Sequence, residues 1–219
     1  MSLAGALFFA MLVHWLRREA PRCHELAETL IALASEQGMA HYRAAAVLWR
    51  GWALNEEGLR AEGVAQLRQG AAALQATGVL VYRTVTPAML AEALAHQGQV
   101  EEGLAALAEA LAVVRDGGEP YWEAELHRLQ GELLLQWAEV EALARAEAEA
   151  CFHQALAVAR RQSAKALELR AVMSLSRLYQ RQGRQAEARP LLAQTYGWFT
   201  EGFDTTDLQE AKALLERLA

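Results

Sequence analysis

The stretch Leu169–Thr195, LRAVMSLSRLYQRQGRQAEARPLLAQT, reads as a helix, a tight turn at Gly183 and a second helix. Leu175, Ser176 and Tyr179 share one face of the first helix, and Ala188, Leu192 and Thr195 share one face of the second. A hairpin of this kind cannot bury its own apolar face, so it needs similar hairpins on either side. The chain supplies them. The residue that lets each first helix approach its neighbour falls at Met11 (a poor fit), Gly51, Ala91, Gly131 and Ser176, in steps of 40, 40, 40 and 45. That period lies within the range of helical solenoids. The expected fold is all-α: a right-handed α-solenoid of about five helical hairpins and a C-terminal capping helix, forming a single domain over residues 1–219. The hairpins run over about 2–38, 40–78, 79–118, 121–162 and 165–200, and the cap over 206–218.

Local signals place the boundaries. Pro21 suits the first turn of a second helix, where its missing N–H is not needed. Gly38 and Gly78 end repeats, while Gly58 and Gly98 turn the chain within them. Pro87 should start or kink its helix. Gly117-Gly118 reads as a helix stop and not a phosphate loop, because no strand precedes it and no Gly-Lys-Ser/Thr follows. About five extra residues within WAEVEALARA predict that a helix of the fourth hairpin overruns its neighbours. Thr206-x-x-Gln209 predicts a capping box. In the helix it starts, Leu208, Ala211, Leu215 and Leu218 share a face, with Glu210, Lys212 and Glu216 elsewhere.

Composition narrows the function classes. Hydrophobic residues make up 53% of the 219 and charged ones 22%, which argues against disorder. A net charge of −6 argues against nucleic-acid or anionic-membrane partners held by bulk electrostatics. Cys23 and Cys151 form no CxxC pair and suit reduced thiols in a cytoplasmic protein. Leu3–Val13 is apolar but too short to span a bilayer, and its positive charges, Arg17 and Arg18, follow it, which fits a signal peptide badly. The reading is a first helix apolar on nearly every side, whose cover is a second copy of the chain or an upstream domain.

Two motifs carry a resemblance. Leu175-Ser176-x2-Tyr179-x3-Gly183-x4-Ala188-x3-Leu192 is echoed by Leu90-Ala91-x2-Leu94-x3-Gly98-x4-Gly103-x3-Leu107, and both resemble the tetratricopeptide repeat family. The chain departs from that pattern in carrying Val172 and Val47 where the family has an early Trp, and in lacking the regular terminal Pro. LRQGAAALQATG, QVEEGLAALAEALAVV, AELHRLQGELLLQ, AEACFHQALAVARRQSAKALELRAVMSLSRLYQRQGR and YGWFTEGFDTTDLQEAKALLERL cover most of the chain more narrowly. They resemble the C-terminal helical tail of bacterial signalling proteins in which an adenylate/guanylate cyclase domain and an AAA-type ATPase domain precede the repeats. No Walker A lysine loop and no cyclase metal carboxylates occur in this sequence. The resemblance therefore implies a sensory or interaction module and no enzymatic activity.

First helices of tetratricopeptide arrays line a concave groove, and the repeat register assigns residues to it. They are Phe8, Leu12 and Trp15; Leu48, Trp52 and Asn55; Glu92 and His96; Glu125, Arg128, Glu132 and Gln136; Arg170, Met173, Arg177 and Arg181. The candidate partner- or ligand-binding residues are Trp15, Leu48, Trp52, Asn55, Glu92, His96, Arg128, Glu132, Arg170, Arg177 and Arg181. An aromatic-to-acidic-to-basic surface suits a protein or peptide partner. Trp15 and Trp52 lie in that groove or pack between helices. Arg170, Arg177 and Arg181 meet an anionic ligand, or pair with Glu125 and Glu132 across the groove. The eight cations of Arg160–Arg189 read as a solvated face and not a nucleic-acid site. No histidine pair has helical metal spacing, and no nucleophile elbow or Cys–His signature occurs, so no catalytic residue, metal or cofactor is expected. The expected function is a non-catalytic protein-interaction or signalling scaffold, with a small-molecule effector-sensing domain as the alternative.

Overall fold

The structure, a computed structural model, describes residues 2–79, 81–137 and 142–219. Its described elements are all helical: α1 (Leu3–Leu16), α2 (Ala20–Glu36), α3 (Ala40–Glu56), α4 (Arg60–Ala76), α5 (Val85–Ala95), α6 (Val100–Arg115), α7 (Glu123–Trp137), α8 (Ala142–Arg161), α9 (Lys165–Arg181), α10 (Gln185–Tyr196) and α11 (Thr206–Arg217). They form an α-solenoid of helical hairpins, divided into two compact units, Met1–Ala106 and Leu107–Ala219.

One turn geometry recurs. The backbone N–H of Met39, Leu59, Gln99 and Arg184 donates to the carbonyl five residues earlier, at 2.8–3.0 Å. A left-handed residue just before each donor makes this closure possible, and glycine takes that conformation without a Cβ clash. Gly38, Gly58, Gly98 and Gly183 have φ of +66°, +92°, +72° and +77°. Two turns of the same kind lack glycine: Arg18 (φ 59°) precedes Glu19, which donates to His14 O, and Ser163 (φ 55°) precedes Ala164, which donates to Ala159 O.

In the first unit α1 pairs with α2 and α3 with α4, α2 also packs on α3, and α4 packs on α5. The first helices α1, α3 and α5 are neighbours in that order. The α3–α4 contact is backbone against backbone. A Cβ on Gly51 would lie 2.7 Å from Leu67 N, one on Gly63 2.8 Å from Asn55 N, and one on Gly70 2.6 Å from Leu48 N. No larger residue fits at these positions without parting the helices. As a result α3 is enclosed along its length, with Ala44, Ala45, Leu48, Trp49, Trp52 and Ala53 all buried.

In the second unit α7 pairs with α8 and α9 with α10, and Gly131 on α7 seats the Phe152 ring of α8. The core combines Phe152, Val172, Leu175, Tyr179, Ala188, Leu192, Leu208 and Leu214. Helix α11 packs on both α9 and α10, as α9 packs on α7 and α8, so the cap stands where a further first helix would. Helix α8 has 20 residues, more than either partner of the α9–α10 hairpin. Of the segment expected to hold the extra length, 138–141 lie outside the described residues.

The start of α11 corrects the expected capping box. Thr205, not Thr206, is the N-cap, and its hydroxyl donates to Gly202 O at 2.7 Å instead of capping the helix. Gln209 Nε2 donates to Asp204 O at 3.3 Å. The buried face of α11 also turns slightly: Leu214 is fully buried and Leu215 only partly.

Candidate recognition faces

In the second unit the first helices α7, α9 and α11 carry a ladder of charged side chains. Arg128 binds Glu125 through two bonds, Nε to Oε2 at 2.9 Å and Nη2 to Oε1 at 2.8 Å. Arg128 Nη1 stands 3.6 Å from Glu132 Oε1, which also accepts from Ser174 Oγ at 2.6 Å. Arg170 Nε donates to Asp207 Oδ2 at 2.7 Å, and its Nη1 lies 3.7 Å from Glu125 Oε1. Arg177 Nη2 donates to Glu210 Oε2 at 2.8 Å in a half-exposed pair. Arg181, one turn further along α9, is exposed and makes no ion pair among the described residues.

Helical spacing produces this row. Arg170, Arg177 and Arg181 sit seven and four residues apart, and Asp207 and Glu210 three apart, so each set projects from one side of its helix. Arg128, Glu125, Arg170 and Asp207 are largely buried, where satisfied charge pairs rigidify and unsatisfied ones are costly. Chemically, the ladder fixes α11 against α9, and its Arg177–Glu210 end is half-exposed.

In the first unit the corresponding helices are lined by rings. Trp49 is buried, with edge-on contacts to Phe8 at 5.6 Å, Trp15 at 6.1 Å and Tyr82 at 5.7 Å between centroids. Its indole Nε1 has no hydrogen-bond partner among the described residues. His41 stacks at a tilt against Tyr82, and burial pushes its imidazole below its ordinary pKa. Where α3 and α5 end, Asn55 Nδ2 lies 2.8 Å from His96 Nδ1 and 3.3 Å from Glu56 Oε1, while Asn55 Oδ1 is buried with no hydrogen-bond partner among the described residues.

The residues expected to line a groove fare differently. Leu48, Trp52 and Asn55 are corrected: they are 0%, 3% and 2% exposed, because the glycines of α3 and α4 bring those helices together and sink α3 into the core. Trp15 is half-buried against Trp49. Glu92 is half-buried one turn before His96, which is exposed at the end of α5. Arg128, Glu132, Arg170 and Arg177 come together in the ladder. Arg170 reaches Glu125 as anticipated, but its shorter bond is to Asp207, and Arg177 pairs with Glu210 and not with the acids of α7. Sequence reasoning passed over Ser174, Asp207 and Glu210; the i, i+3 acid pair on the cap helix was the available signal. It also passed over Trp49, which sits one residue from Leu48 and two from Gly51.

Most of the basic stretch Arg160–Arg189 is likewise engaged. Arg160 and Lys165 both bind Glu168, at 2.9 and 2.6 Å; burial alone would raise that carboxyl, but the two cations outweigh it and hold it below its usual range. Arg161 binds Glu123, and Arg184 binds Glu149 and Glu187. Among the described residues three or more His, Cys, Asp or Glu side chains do not gather into a metal-binding group, and no helix is long and apolar enough to cross a membrane.

No family model matches the chain, and no curated protein matches it in sequence. Solved structures do match. The chain is similar to PlcR of Bacillus thuringiensis, solved in complex with the peptide PapR7 and DNA, with a TM-score of 0.77 at 13% identity over 99% of this chain and 74% of that one. It is also similar to the kinesin light chain TPR-like repeats of Podosopora anserina, with a TM-score of 0.54 at 20% identity over 99% and 98% of the two chains. A single-residue variant of those repeats gives 0.56 at 22% identity over 90% and 96%. The fold of this chain is that of TPR-like helical repeat proteins.

Proposed function

We propose that this chain is a non-catalytic protein-interaction module that takes a carboxylate-bearing peptide along the α7–α9–α11 face. The observation that carries the reading is the end of the ladder: the half-exposed Arg177–Glu210 pair, with exposed Arg181 four residues on. Two guanidinium groups on one helix face suit bidentate contact with carboxylates, and a partner's carboxylate competes with Glu210 for Arg177. The likeness to PlcR, a structure solved with a peptide, supports a peptide as the partner class. That structure also holds DNA, but here most cations of the Arg160–Arg189 stretch already face acids, which favours peptide over nucleic acid. The tail-like strings fit a regulatory module of a cytoplasmic cyclase–ATPase signalling protein.

The test is a selection. A random peptide library is panned on the 219-residue chain with counter-selection on the Arg177→Glu/Arg181→Glu variant. Acidic peptides that the variant fails to retain support the proposal. Peptides of no charge preference, held equally by both proteins, overturn it.

A further inference from the structure

Helix α1 presents an apolar stripe to solvent. Leu3, Phe9, Val13 and Leu16 are 64%, 57%, 51% and 42% exposed, and Ala6 between them is exposed as well. The opposite side, with Ala4, Gly5 and Met11, is buried against α2 and α3. Elsewhere in this unit, first helices are covered by the second helix of the preceding hairpin, α3 by α2 and α5 by α4. Among the described residues no helix lies on α1 in that way. From Leu3 to Val13 the helix carries no charged side chain. Past that point, His14 and Arg17 both meet Glu19, Arg17 Nε at 2.6 Å from its Oε1, which offsets part of the positive charge of Arg17 and Arg18 at that end of the stripe.

We propose that the stripe is the self-association surface of this protein, closed by α1 of a second copy in antiparallel two-fold contact. The spacing is nearly palindromic about a point between Phe9 and Ala10. A two-fold axis there sets Leu3 opposite the partner's Leu16, Ala6 opposite the partner's Val13, and Phe9 beside the partner's Ala10. Each large side chain in the centre thus meets a small one, and the two helix dipoles run antiparallel. An uncharged stripe paired with itself buries no ion, which a charged foreign surface would not allow. Each copy contributes roughly 500 Å² of apolar surface, so the pair buries on the order of 1,000 Å², the lower edge of a specific interface. The dimer is therefore weak and concentration-dependent.

Sedimentation equilibrium of the 219-residue chain from about 1 µM to about 300 µM spans the range where such a dimer forms. The expected result is a monomer–dimer equilibrium, weakened at least about tenfold in Phe9→Glu, whose helical circular dichroism and Tm stay those of the wild type. Should Phe9→Glu disturb folding, Ala10→Cys provides a second reading: oxidation should give a disulfide-linked dimer on the two-fold axis. A chain that stays monomeric throughout overturns the proposal and leaves the stripe to a helix from elsewhere. A dimer indifferent to Phe9→Glu, with Ala10→Cys failing to cross-link, overturns it equally.

Discussion

Arg170 on α9 and Asp207 on α11 are joined by a 2.7 Å bond between two side chains each 15% exposed. This bond, with Leu208, Ala211 and Leu214 below it, fixes the cap helix to the hairpin it covers. Asp207→Asn preserves shape but removes the charge from this bond, while the approach of Arg170 Nη1 to Glu125 Oε1 is longer, at 3.7 Å. The expected loss is about 1.5–3 kcal/mol, the range for a hydrogen bond to a charged group. Chemical denaturation measures it, and hydrogen exchange should rise first in α11.

Gly70→Ala tests the α3–α4 contact. Alanine favours a helix over glycine by about 1 kcal/mol. Against that, the new Cβ would stand 2.6 Å from Leu48 N and 2.7 Å from Leu48 Cα, atoms that no rotamer change can move. Overpacking costs about 1–3 kcal/mol, occasionally more, and contact with fixed backbone atoms puts this site towards the upper end, so the variant should be net destabilised by up to about 2 kcal/mol. A melting temperature equal to or above wild type would show that the helices are not in backbone contact.

Stability should fall in two steps on acidification. Burial holds the imidazoles of His41 and His127 below their ordinary value. Their neutral forms favour the fold fully above about pH 6.5, and that contribution shrinks as pH falls towards their folded values, because the unfolded chain takes up protons the folded one refuses. The Glu168 carboxyl is held low by Lys165 and Arg160 despite its burial. Its contribution is present above the ordinary glutamate value, about 4.3, and is lost as pH falls through its folded one. Thermal melts across pH should show His127→Gln flattening the upper step and Glu168→Gln the lower.

Both thiols should be slow to react. Burial pushes Cys23 up to about 12 and Cys151 up to about 11, so little thiolate exists at neutral pH. Labelling of the native chain with an aromatic disulfide at pH 8 should lag far behind labelling in denaturant. Equal rates would mean that α2 and α8 open readily.

How much of this was legible in the residues depends on the kind of signal. Where glycine marked a turn, as at Gly38, Gly58 and Gly183, the helix boundaries could be read, because only the left-handed conformation explains glycine there. The turns at Arg18 and Ser163 carry no such mark; the chain holds ordinary residues in the same conformation. The ladder was half visible. Arginine spacing on α9 put three guanidiniums on one face, but which acids they meet depends on α11 arriving as a further first helix, a tertiary fact. Exposure was the least legible quantity. Trp52 and Asn55 have groove register, yet the glycine contacts of α3 bury them, while Phe9 and Val13 look like core and stand in solvent.

The most direct measurement is a calorimetric titration of an acidic peptide selected on the chain, against wild type and Arg177→Glu/Arg181→Glu. Losing two charge-assisted contacts should weaken binding by at least about tenfold, and replacing the peptide's acids with lysines should restore affinity for the variant. Equal affinity for both proteins, with no response to the charge exchange, would contradict recognition at the α7–α9–α11 face.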